Sequence, residues 1–371
     1  MKYLHEYRDS SLVAALSERI CSLATRSWRI MEVCGGQTHT IVRAGLDRCL
    51  GPDVSFVHGP GCPVCVTPAA TIDFARSLAL RPNTILCTFG DMVRVPGTQK
   101  SLAETKSDGG NIRILYSPID AITVARENPT CEVVLFAIGF ETTAPLTALA
   151  ILQTAELKLR NFSVLCAHVL IPPAVAAVLQ LPGPRIDALL APGHVCTISG
   201  TSAFTALVEQ FDLPIVVTGF EPVDLLQGTL DAVTMLESDA PKLMNSYRRA
   251  VCDGGNVEAT RLVDSVFRVA DRDWRGLGTI ANSGLEIREE YGQLDASVRF
   301  SRELTKDIEH HDKPCGRVLS GQLAPSACPH FADECRPERP IGAPMVSSEG
   351  ACAAYFGARN TRGPFTADLP R

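Results

Sequence analysis

The C-terminal part of the chain contains four cysteines that could together bind a metal: Cys315, Cys328, Cys335 and Cys352. They are separated by 12, 6 and 16 residues in a segment rich in Gly and Pro, which can bury little apolar surface and needs another source of stability. Four thiolates suit a zinc ion or an iron–sulfur cluster. Zinc sites that stabilise a fold usually contain closely spaced cysteine pairs, and this segment has none. The spacing therefore favours a [4Fe–4S] cluster, with zinc as the alternative.

A second pair of cysteines, Cys62 and Cys65, lies far upstream in the sequence GPGCPVC. Two thiols at this spacing are close enough to cycle between a dithiol and a disulfide. Thr67 and Pro68 are typical of a helix start, and the dipole of a helix beginning there would lower the pKa of the thiols. The pattern predicts redox or ligand chemistry. Half of a zinc site, or a turn with incidental thiols, is the alternative.

Cys34 is the third candidate, because it follows the apolar run WRIMEV and precedes two glycines. Glycine lets the backbone approach a ligand closely. A helix over about residues 39–49 would place its positive N-terminus at the Cys34 thiol, where a thiolate could bind iron or act as a nucleophile. The alternative is a small residue buried at a strand end, which is common for free cysteine.

Several polar residues also occur where apolar runs end. Among them, His39, Glu141 and His194 could move protons or bind a polar ligand. The sequence PGHVC indicates that His194 is the most exposed of these histidines. For each residue, a helix cap, a surface charge or a structural hydrogen bond is the alternative. Other residues at similar positions are His58, His168, Asp91 and Arg94.

The apolar runs themselves predict the framework that positions these residues. Short runs such as TILCTFG, EVVLFAIGF and IVVTGF do not alternate with polar residues, which is typical of strands buried on both faces of a parallel sheet. The stretches after such runs, for example PAATIDFARSLAL and PLTALAILQTAEL, have the pattern of helices. Together they predict α/β units, whose ligands bind beyond the carboxyl ends of the strands. The candidate polar residues fall at those ends.

We expect two α/β domains, residues 1–118 and 119–240, and a third domain, residues 241–371. The polar stretch at residues 101–111 predicts a loop. Charge rises after about residue 240, where RAVCDGGNVEATRLVDSVFRVADRDWRGLG indicates helices joined by a loop. The third domain is therefore expected to be α-rich or mixed and to contain the four-cysteine segment.

Composition excludes several classes of protein. The 371 residues carry a net charge of −6, and no basic stripe indicates nucleic-acid binding. No apolar stretch is long enough for a membrane helix, and the N-terminus looks like an amphipathic helix, not a signal peptide. We therefore expect a cytoplasmic protein whose 14 cysteines serve as reduced thiols, metal ligands or redox groups, with secretion and structural disulfides as the alternative. A nicotinamide dehydrogenase is disfavoured because no GxGxxG follows the first strand.

Taken together and in order, several motifs resemble those of the HypD family, the iron–sulfur scaffold proteins of [NiFe]-hydrogenase maturation. They are EVCGGQTH, GPGCPVC, TFGDMVRVPG, GFETTAP, PGHV, GFEP and PERPIGAPMVSSEGACAAY, and they extend over nearly the whole chain. The resemblance implies two Rossmann-like parallel-sheet domains around a cleft and a third domain with a [4Fe–4S] cluster. It also implies two partners, the small chaperone HypC and the cyanide donor HypE. With them the family assembles an Fe(CN)2CO unit for the hydrogenase large subunit.

The same resemblance implies a role for each group of cysteines. Cys34 matches the iron-binding cysteine, which shares the iron with the N-terminal cysteine of HypC. Cys62 and Cys65 match a redox pair in electronic contact with the cluster, which the four tail cysteines would hold. The chain departs from the family pattern at Lys313 and Pro344, where further cysteines are common in the family. Four tail cysteines remain, which is enough for a cluster.

Two other functions fit the same residues. A cluster-dependent disulfide reductase would use the cluster and the Cys62 and Cys65 pair but would leave Cys34 without a role. A zinc-stabilised α/β binding protein would have no redox function. The sequence leaves open whether a maturation complex hydrolyses ATP.

Overall fold

A computed structural model describes residues 5–183, 185–301 and 313–359 of the protein, with only the backbone of Lys313. The strands, in chain order, are β1 (Trp28–Glu32), β2 (Val54–His58), β3 (Thr84–Thr88), β4 (Ile112–Ile114), β5 (Glu132–Gly139), β6 (Phe162–His168), β7 (Ala188–Pro192), β8 (Ile215–Thr218), β9 (Leu243–Asn245), β10 (Phe267–Trp274) and β11 (Gly278–Ile287). The helices are α1 (Ser10–Leu23), α2 (Gly35–Ala44), α3 (Leu46–Cys49), α4 (Ala69–Ala79), α5 (Leu102–Ser107), α6 (Asp120–Glu127), α7 (Ala144–Glu156), α8 (Ile171–Leu179), α9 (Gly193–Ser199), α10 (Ser202–Phe211), α11 (Pro222–Glu237), α12 (Val257–Val266), α13 (Ala296–Arg299), α14 (Lys313–Leu319) and α15 (Ala351–Ala358). Short 3₁₀ helices cover Glu6–Arg8, Gly90–Arg94, Glu289–Leu294, Pro325–Ala327 and Ala343–Met345. Within the described residues, no helix is both long and apolar enough to cross a membrane.

The chain forms two compact units, and each is built from segments that are separated in sequence. Unit 1 consists of the described residues of Met1–Cys62, Ala174–Asn256 and Pro314–Arg371. Unit 2 consists of those of Pro63–Pro173 and Val257–Lys313. The chain therefore leaves unit 1 after β2, returns to it within α8, and passes through unit 2 a second time between β9 and α14.

Unit 1 contains a parallel sheet with the strand order β2-β1-β7-β8-β9. In this sheet Trp28 of β1 pairs with Val54 of β2, and Ile30 of β1 pairs with Ala188 of β7. Every residue of β7 and β8 is buried, as expected for strands in the middle of a parallel sheet. The core joins apolar residues of α1, α2 and α11 to those of β1, β7 and β8.

Unit 2 contains a second parallel sheet, with the order β4-β3-β5-β6, and an antiparallel hairpin of β10 and β11. All residues of β3 and β6 are buried. The core of the unit joins these strands and β5 to α6, α7 and both strands of the hairpin. Phe267 of β10 and Leu285 and Ile287 of β11 are buried in this core, so the hairpin is an integral part of it.

In both sheets the direction of chain progression reverses between two neighbouring strands. In unit 1 the chain runs from β1 to β2 on one side and from β7 through β8 to β9 on the other, so the reversal lies between β1 and β7. In unit 2 it lies between β3 and β5. At such a point the following helices diverge, and the crevice beyond the carboxyl ends of the strands is where ligands bind in open α/β sheets. Cys34 and His194 follow β1 and β7 and therefore lie at the reversal of unit 1.

Two segments differ from the sequence-based prediction. The loop expected at residues 101–111 contains α5, because Ser101 and Glu104 form a capping box that starts a helix. After α12, a strand replaces the helical structure expected up to Gly278. Pairing of β10 with β11, across a turn in which Gly276 and Gly278 adopt positive φ angles, outweighs the local preference for helix.

The prediction of an α/β protein with parallel sheets is confirmed, but the units follow other boundaries than the expected ones. Residues 118 and 240 both lie inside units. Strand β7 falls in the segment expected as the second domain, yet it pairs with β1 in unit 1. The four-cysteine segment also belongs to unit 1 and not to a separate third domain. The boundaries differ because the chain leaves unit 1 and forms β3 to β6 in unit 2 before it returns. Order in sequence does not reveal which strands share a sheet.

Candidate functional site

Cys34 lies two residues after the end of β1 and is the N-cap residue of α2, with an extended backbone (φ −150°, ψ 124°). Its Sγ is 3.8 Å from Nδ1 of His194, the second residue of α9. Because β1 pairs with β7 in parallel, the residues that follow the two strands meet at the same edge of the sheet. The structure thus brings together two residues that the sequence analysis singled out separately.

Three glycines shape the backbone around Cys34. A Cβ on Gly61 would lie 2.2 Å from the amide nitrogen of Cys34, and a Cβ on Gly35 would lie 2.4 Å from Cβ of Glu349. The carbonyl oxygen of Gly61 also accepts the N–H of Gly35 at 2.9 Å. A Cβ on Gly36 would lie 3.6 Å from the Cys34 sulfur. Glycine is therefore needed at positions 35 and 61, where other segments pass the Cys34 turn at backbone distance, whereas a Cβ at Gly36 would be in ordinary contact with the sulfur.

The Cys34 thiol is buried, with 5% of the residue exposed. Burial is the main reason why the pKa of this thiol is raised to about 12. The N–H groups of Gln37 and Gly36 lower the pKa, whereas the carboxylates of Glu32 and Glu349 raise it. The N-terminus of α2 does lie at the thiol, as expected, but burial outweighs its effect. Metal-free Cys34 is therefore a neutral thiol at neutral pH.

His194 is neutral as well, because burial lowers the pKa of its imidazole to about 4. Its ring packs against Phe220, which follows β8, with 5.3 Å between the ring centroids. The expectation that His194 is the most exposed of the candidate histidines is wrong. It is half-buried between the ends of neighbouring strands, whereas His39 is exposed on α2. A chemical role of His39 stays a prediction.

Glu32 and Gln37 lie in the motif EVCGGQTH, yet the sequence analysis assigns a role to neither. Glu32, the last residue of β1, is fully buried, and its Oε2 accepts the N–H of Cys34 at 2.8 Å. Gln37 is also fully buried, and its Nε2 donates to Oγ1 of Thr218 at the end of β8, at 3.0 Å. These contacts fix the Cys34 turn against the sheet. Two signals were available. Both residues lie in a quoted motif, and Glu32 is charged inside the apolar run WRIMEV, where a buried carboxylate needs hydrogen-bond partners.

Cys62 and Cys65 are both buried and disulfide-bonded. Cys62 directly follows Gly61, the residue that packs against the backbone of Cys34. A helix follows the pair as predicted, although α4 begins only at Ala69. The two sulfurs are therefore close enough to bond to each other, while a redox role of the pair stays a prediction.

The donor set of the tail fits an iron–sulfur cluster in its chemistry. Cys335 and Cys352 are buried in one small apolar cluster, and Cys315 and Cys328 are half-buried. The N–H of Ile341 points at the sulfur of Cys335 at 3.4 Å, and such hydrogen bonds are common at cluster-bound sulfur. In the described part of the chain, no three His, Cys, Asp or Glu side chains are arranged so that they could hold a metal ion. The cluster therefore stays a prediction.

Of the two positions at which the chain departs from the family pattern, Pro344 has a described side chain. Pro344 is buried in the 3₁₀ helix Ala343–Met345. A Cβ on Gly350 would lie 2.1 Å from the Pro344 carbonyl oxygen, so the proline packs directly against the residue before α15. The side chain of Lys313 lies outside the described residues.

Glu141 belongs to unit 2, where it follows β5. Only 8% of the residue is exposed, and its Oε1 accepts the N–H of Ile171 at 3.0 Å. Its Oε2 is buried and has no hydrogen-bond partner among the described residues. Burial raises the pKa of the carboxyl to about 7, a value suited to a general acid or base at neutral pH. Whether it acts as one stays a prediction.

Comparison with known proteins identifies the family of the chain. Residues 11–359 match the HypD family model, described as the hydrogenase formation hypA family. The chain is 45% identical to the hydrogenase maturation factor HypD of Azotobacter vinelandii, over 96% of each protein. It is also 45% identical to HypD of Escherichia coli K12, over 96% of this chain and 98% of that protein, and 45% identical to HypD1 of Bradyrhizobium diazoefficiens, over 98% of both. The family resemblance is thereby confirmed, and the chain belongs to the HypD family of hydrogenase maturation factors.

Proposed function

We propose that this protein is a scaffold on which the Fe(CN)2CO unit of a [NiFe]-hydrogenase is assembled, with the iron bound at Cys34. The observation that carries the proposal is the distance of 3.8 Å between Cys34 Sγ and His194 Nδ1 at the strand reversal of unit 1. This is the part of an α/β sheet where ligands bind. Thiolate sulfur and imidazole nitrogen are both ligands for iron. The name of the relatives, hydrogenase maturation factor, supports the same role.

The protonation states of the two side chains support a site that becomes charged only when iron binds. Because burial raises the pKa of Cys34 to about 12, the free thiol keeps its proton and is protected from oxidation. Iron displaces this proton, and the N–H groups of Gly36 and Gln37 then stabilise the negative charge of the sulfur. His194 has a pKa of about 4, so its imidazole is neutral and can bind a metal.

The Cys62 and Cys65 pair provides the electrons for cyanide transfer in this proposal. Reduction of their disulfide adds two electrons and two protons and gives two thiols. Release of cyanide from a protein thiocyanate, R–S–C≡N, breaks the bond between sulfur and carbon and requires two electrons. The two thiols supply them as they form their disulfide again, and their protons pass to R–S and to cyanide. Each cyanide therefore uses one oxidation of the pair.

The four tail cysteines are the residues that would hold a [4Fe–4S] cluster: Cys315, Cys328, Cys335 and Cys352. Two of them lie together in a buried apolar cluster of unit 1, which supports a water-poor site. When bound, an iron–sulfur cluster supplies single electrons, which disulfide reduction needs. A zinc ion at the same thiols would stabilise the segment but supply no electrons.

The ligands that the iron still lacks indicate that partner proteins take part. Two cyanides, one carbon monoxide and the Cys34 thiolate do not complete the sphere of a low-spin iron, so a thiolate from a second protein fits the remaining space. We propose a HypC-type small chaperone for this position and a HypE-type protein as the cyanide donor. The hydrogenase large subunit is then the destination of the finished unit.

Changing Cys34→Ser tests the iron site. The variant and the wild-type protein are co-produced with HypC and purified without oxygen, and infrared spectra are recorded at the stretching frequencies of bound CO and CN. We expect these bands in the wild-type protein and none in the variant, with the tail-bound iron and acid-labile sulfide unchanged. Cys21→Ser, at an exposed cysteine of α1, serves as the control and should keep the bands. If Cys34→Ser keeps the bands or supports hydrogenase maturation, the proposal is refuted.

A disulfide reductase is the second candidate, and the disulfide of Cys62 and Cys65 is the observation that favours it. It gives Cys34 no role, so a Cys34→Ala variant would retain full activity. Under the scaffold proposal that variant loses maturation, as do Cys62→Ser and Cys65→Ser. Metal analysis separates both functions from a zinc-stabilised binding protein, which would contain zinc but neither iron nor sulfide.

A further inference from the structure

A chain of hydrogen bonds runs from the amide of Cys34 to helix α15 within unit 1. Oε2 of Glu32 accepts the N–H of Cys34 at 2.8 Å, and Oε1 of Glu32 lies 2.6 Å from Nδ1 of His58. The other ring nitrogen of His58 lies 3.0 Å from the hydroxyl of Tyr355, and the two rings meet edge to face with 5.4 Å between their centroids. The hydroxyl of Thr38 donates to Glu32 as well. Each link therefore joins groups in direct contact.

Burial of this chain indicates that it holds a defined geometry. Glu32 is 0% exposed and His58 is 5% exposed. A buried carboxylate is unfavourable unless hydrogen bonds compensate its lost hydration, and here both oxygens are used. An apolar residue at the end of β1 would fill the space without that penalty. Glu32 instead fixes the orientation of the Cys34 N–H through its Oε2, and thereby the turn that carries the sulfur.

Helix α15 connects this chain to the tail cysteines. It carries both Tyr355 and Cys352, which are three positions apart and therefore neighbours on the helix surface. Cys352 packs in the apolar cluster that also contains Cys335. Tyr355 packs in a different cluster with Val42 of α2, the helix that Cys34 caps. The helix thus contacts the tail segment and the Cys34 segment at the same time.

We propose that Glu32 is a positioning residue for Cys34. Through the hydrogen bonds of His58 and Tyr355, the position of Glu32 depends on α15 and hence on the tail cysteines. A displacement of α15, such as an ordering of the tail when its thiols bind their cofactor, moves the Tyr355 hydroxyl and, through His58, the carboxylate that holds the Cys34 turn. Iron binding then depends on the state of the tail. The identity of the iron cargo rests on the proposed function, but the hydrogen-bond chain does not.

Tyr355→Phe is the variant that tests this link, because it removes one hydroxyl and keeps the ring that packs against Val42. Amide hydrogen exchange of the full-length protein, followed by mass spectrometry of the peptide that contains Cys34, measures how firmly its N–H is held. We expect exchange of the Cys34 amide to become about three to ten times faster, which corresponds to the loss of one hydrogen bond. Tyr116→Phe is the control at a tyrosine that is 98% exposed, and it should exchange at the wild-type rate. Equal rates in all three proteins would overturn the proposal.

Glu32→Gln extends the test to the centre of the chain, because it replaces one acceptor oxygen by an N–H2 donor and keeps the shape. It should accelerate exchange of the Cys34 amide at least as much as Tyr355→Phe does, and a smaller effect contradicts the order of the links. Infrared spectra of the iron-loaded proteins give the second readout. We expect shifted or weaker CO and CN bands for Tyr355→Phe, and unchanged bands would show that the chain does not position Cys34 for iron. If the wild-type protein itself gives no bands, the proposed function fails. The exchange rates still test whether the hydrogen-bond chain holds the Cys34 amide.

Discussion

Replacing Glu141 by Gln should change how the stability of the protein depends on pH. Burial raises the pKa of this carboxyl from its ordinary value of 4.5 to about 7, because only 8% of the residue is exposed. The folded protein therefore holds the proton more tightly than the unfolded chain does. The difference between the two pKa values corresponds to roughly 3 kcal/mol in the free energy of unfolding.

The sign follows from which state binds the proton. The stability that the protonated carboxyl contributes is present in full below pH 4.5 and is lost as the pH rises through about 7. Gln does not ionise, so the stability of the variant relative to wild type should rise by about 3 kcal/mol between about pH 4 and pH 8. Its N–H2 group replaces Oε2, which has no hydrogen-bond partner in the described residues, and this costs about 1–2 kcal/mol at every pH. The variant should thus be less stable than wild type at the acid end and more stable at the alkaline end.

Tryptophan fluorescence during urea unfolding measures this difference at the site itself. The ring of Trp274 stacks on Phe140, next to Glu141, with 6.3 Å between the centroids. Trp28→Phe in every protein of the series leaves Trp274 as the single tryptophan, since the chain has 2. Glu290→Gln, at an exposed glutamate of unit 2, is the control and should follow wild type across the pH range. A Glu141→Gln difference that stays constant from pH 4 to pH 8 would refute the assignment of a buried, ionising carboxyl.

The remaining predictions concern unit 1. Gly61→Ala should destabilise the protein by about 3 kcal/mol and abolish iron binding, because the new Cβ would lie 2.2 Å from the amide nitrogen of Cys34. Thermal unfolding measures the loss of stability, and the infrared bands measure iron binding. Gly357→Ala is its control, since no atom lies within 4 Å of the added Cβ, and an equal loss in both variants would contradict the steric argument. Arg249→Ala should cost about 3 kcal/mol in urea unfolding, because the buried carboxylate of Asp224 loses the two hydrogen bonds of 2.7 and 2.5 Å that Arg249 donates. A loss below 1 kcal/mol would mean that water replaces the arginine.

The framework of each sheet could be predicted from local sequence, because burial on both faces selects the residues of each strand. The run TILCTFG becomes β3 and FSVLCAH becomes β6, with every strand residue buried. Membership of a sheet could not be predicted in this way. Ile30 pairs with Ala188, and no local pattern records a partner so distant in sequence. The hairpin of β10 and β11 was missed for a related reason, since its stability comes from pairing and not from local preference.

The candidate site was predictable residue by residue but not as an arrangement. Cys34 and His194 were found because each has a reactive side chain and follows an apolar run. Their contact at 3.8 Å depends on β1 and β7 being neighbours, which only the fold supplies. Glu32 and Tyr355 lie in two separate motifs and His58 in neither of them, and their contacts join two strands to a distant helix. Buried polar networks of this kind are specified by tertiary contacts, so spacing carries no signal for them.

The sequence Gly-Phe-Glu occurs at the carboxyl ends of both β5 and β8, and the two copies show why a motif alone does not assign a role. In each copy the strand ends and the chain turns into a helix, α7 in one case and α11 in the other. Phe140 and Phe220 both pack against another aromatic ring, so the middle residue anchors the turn in both units. The glutamates differ in their access to water. Glu141 is 8% exposed, whereas the side chain of Glu221 is 23% exposed and caps the start of α11. Burial raises the pKa of the Glu141 carboxyl towards neutrality, which gives the copy in unit 2 the environment of a proton-transfer group.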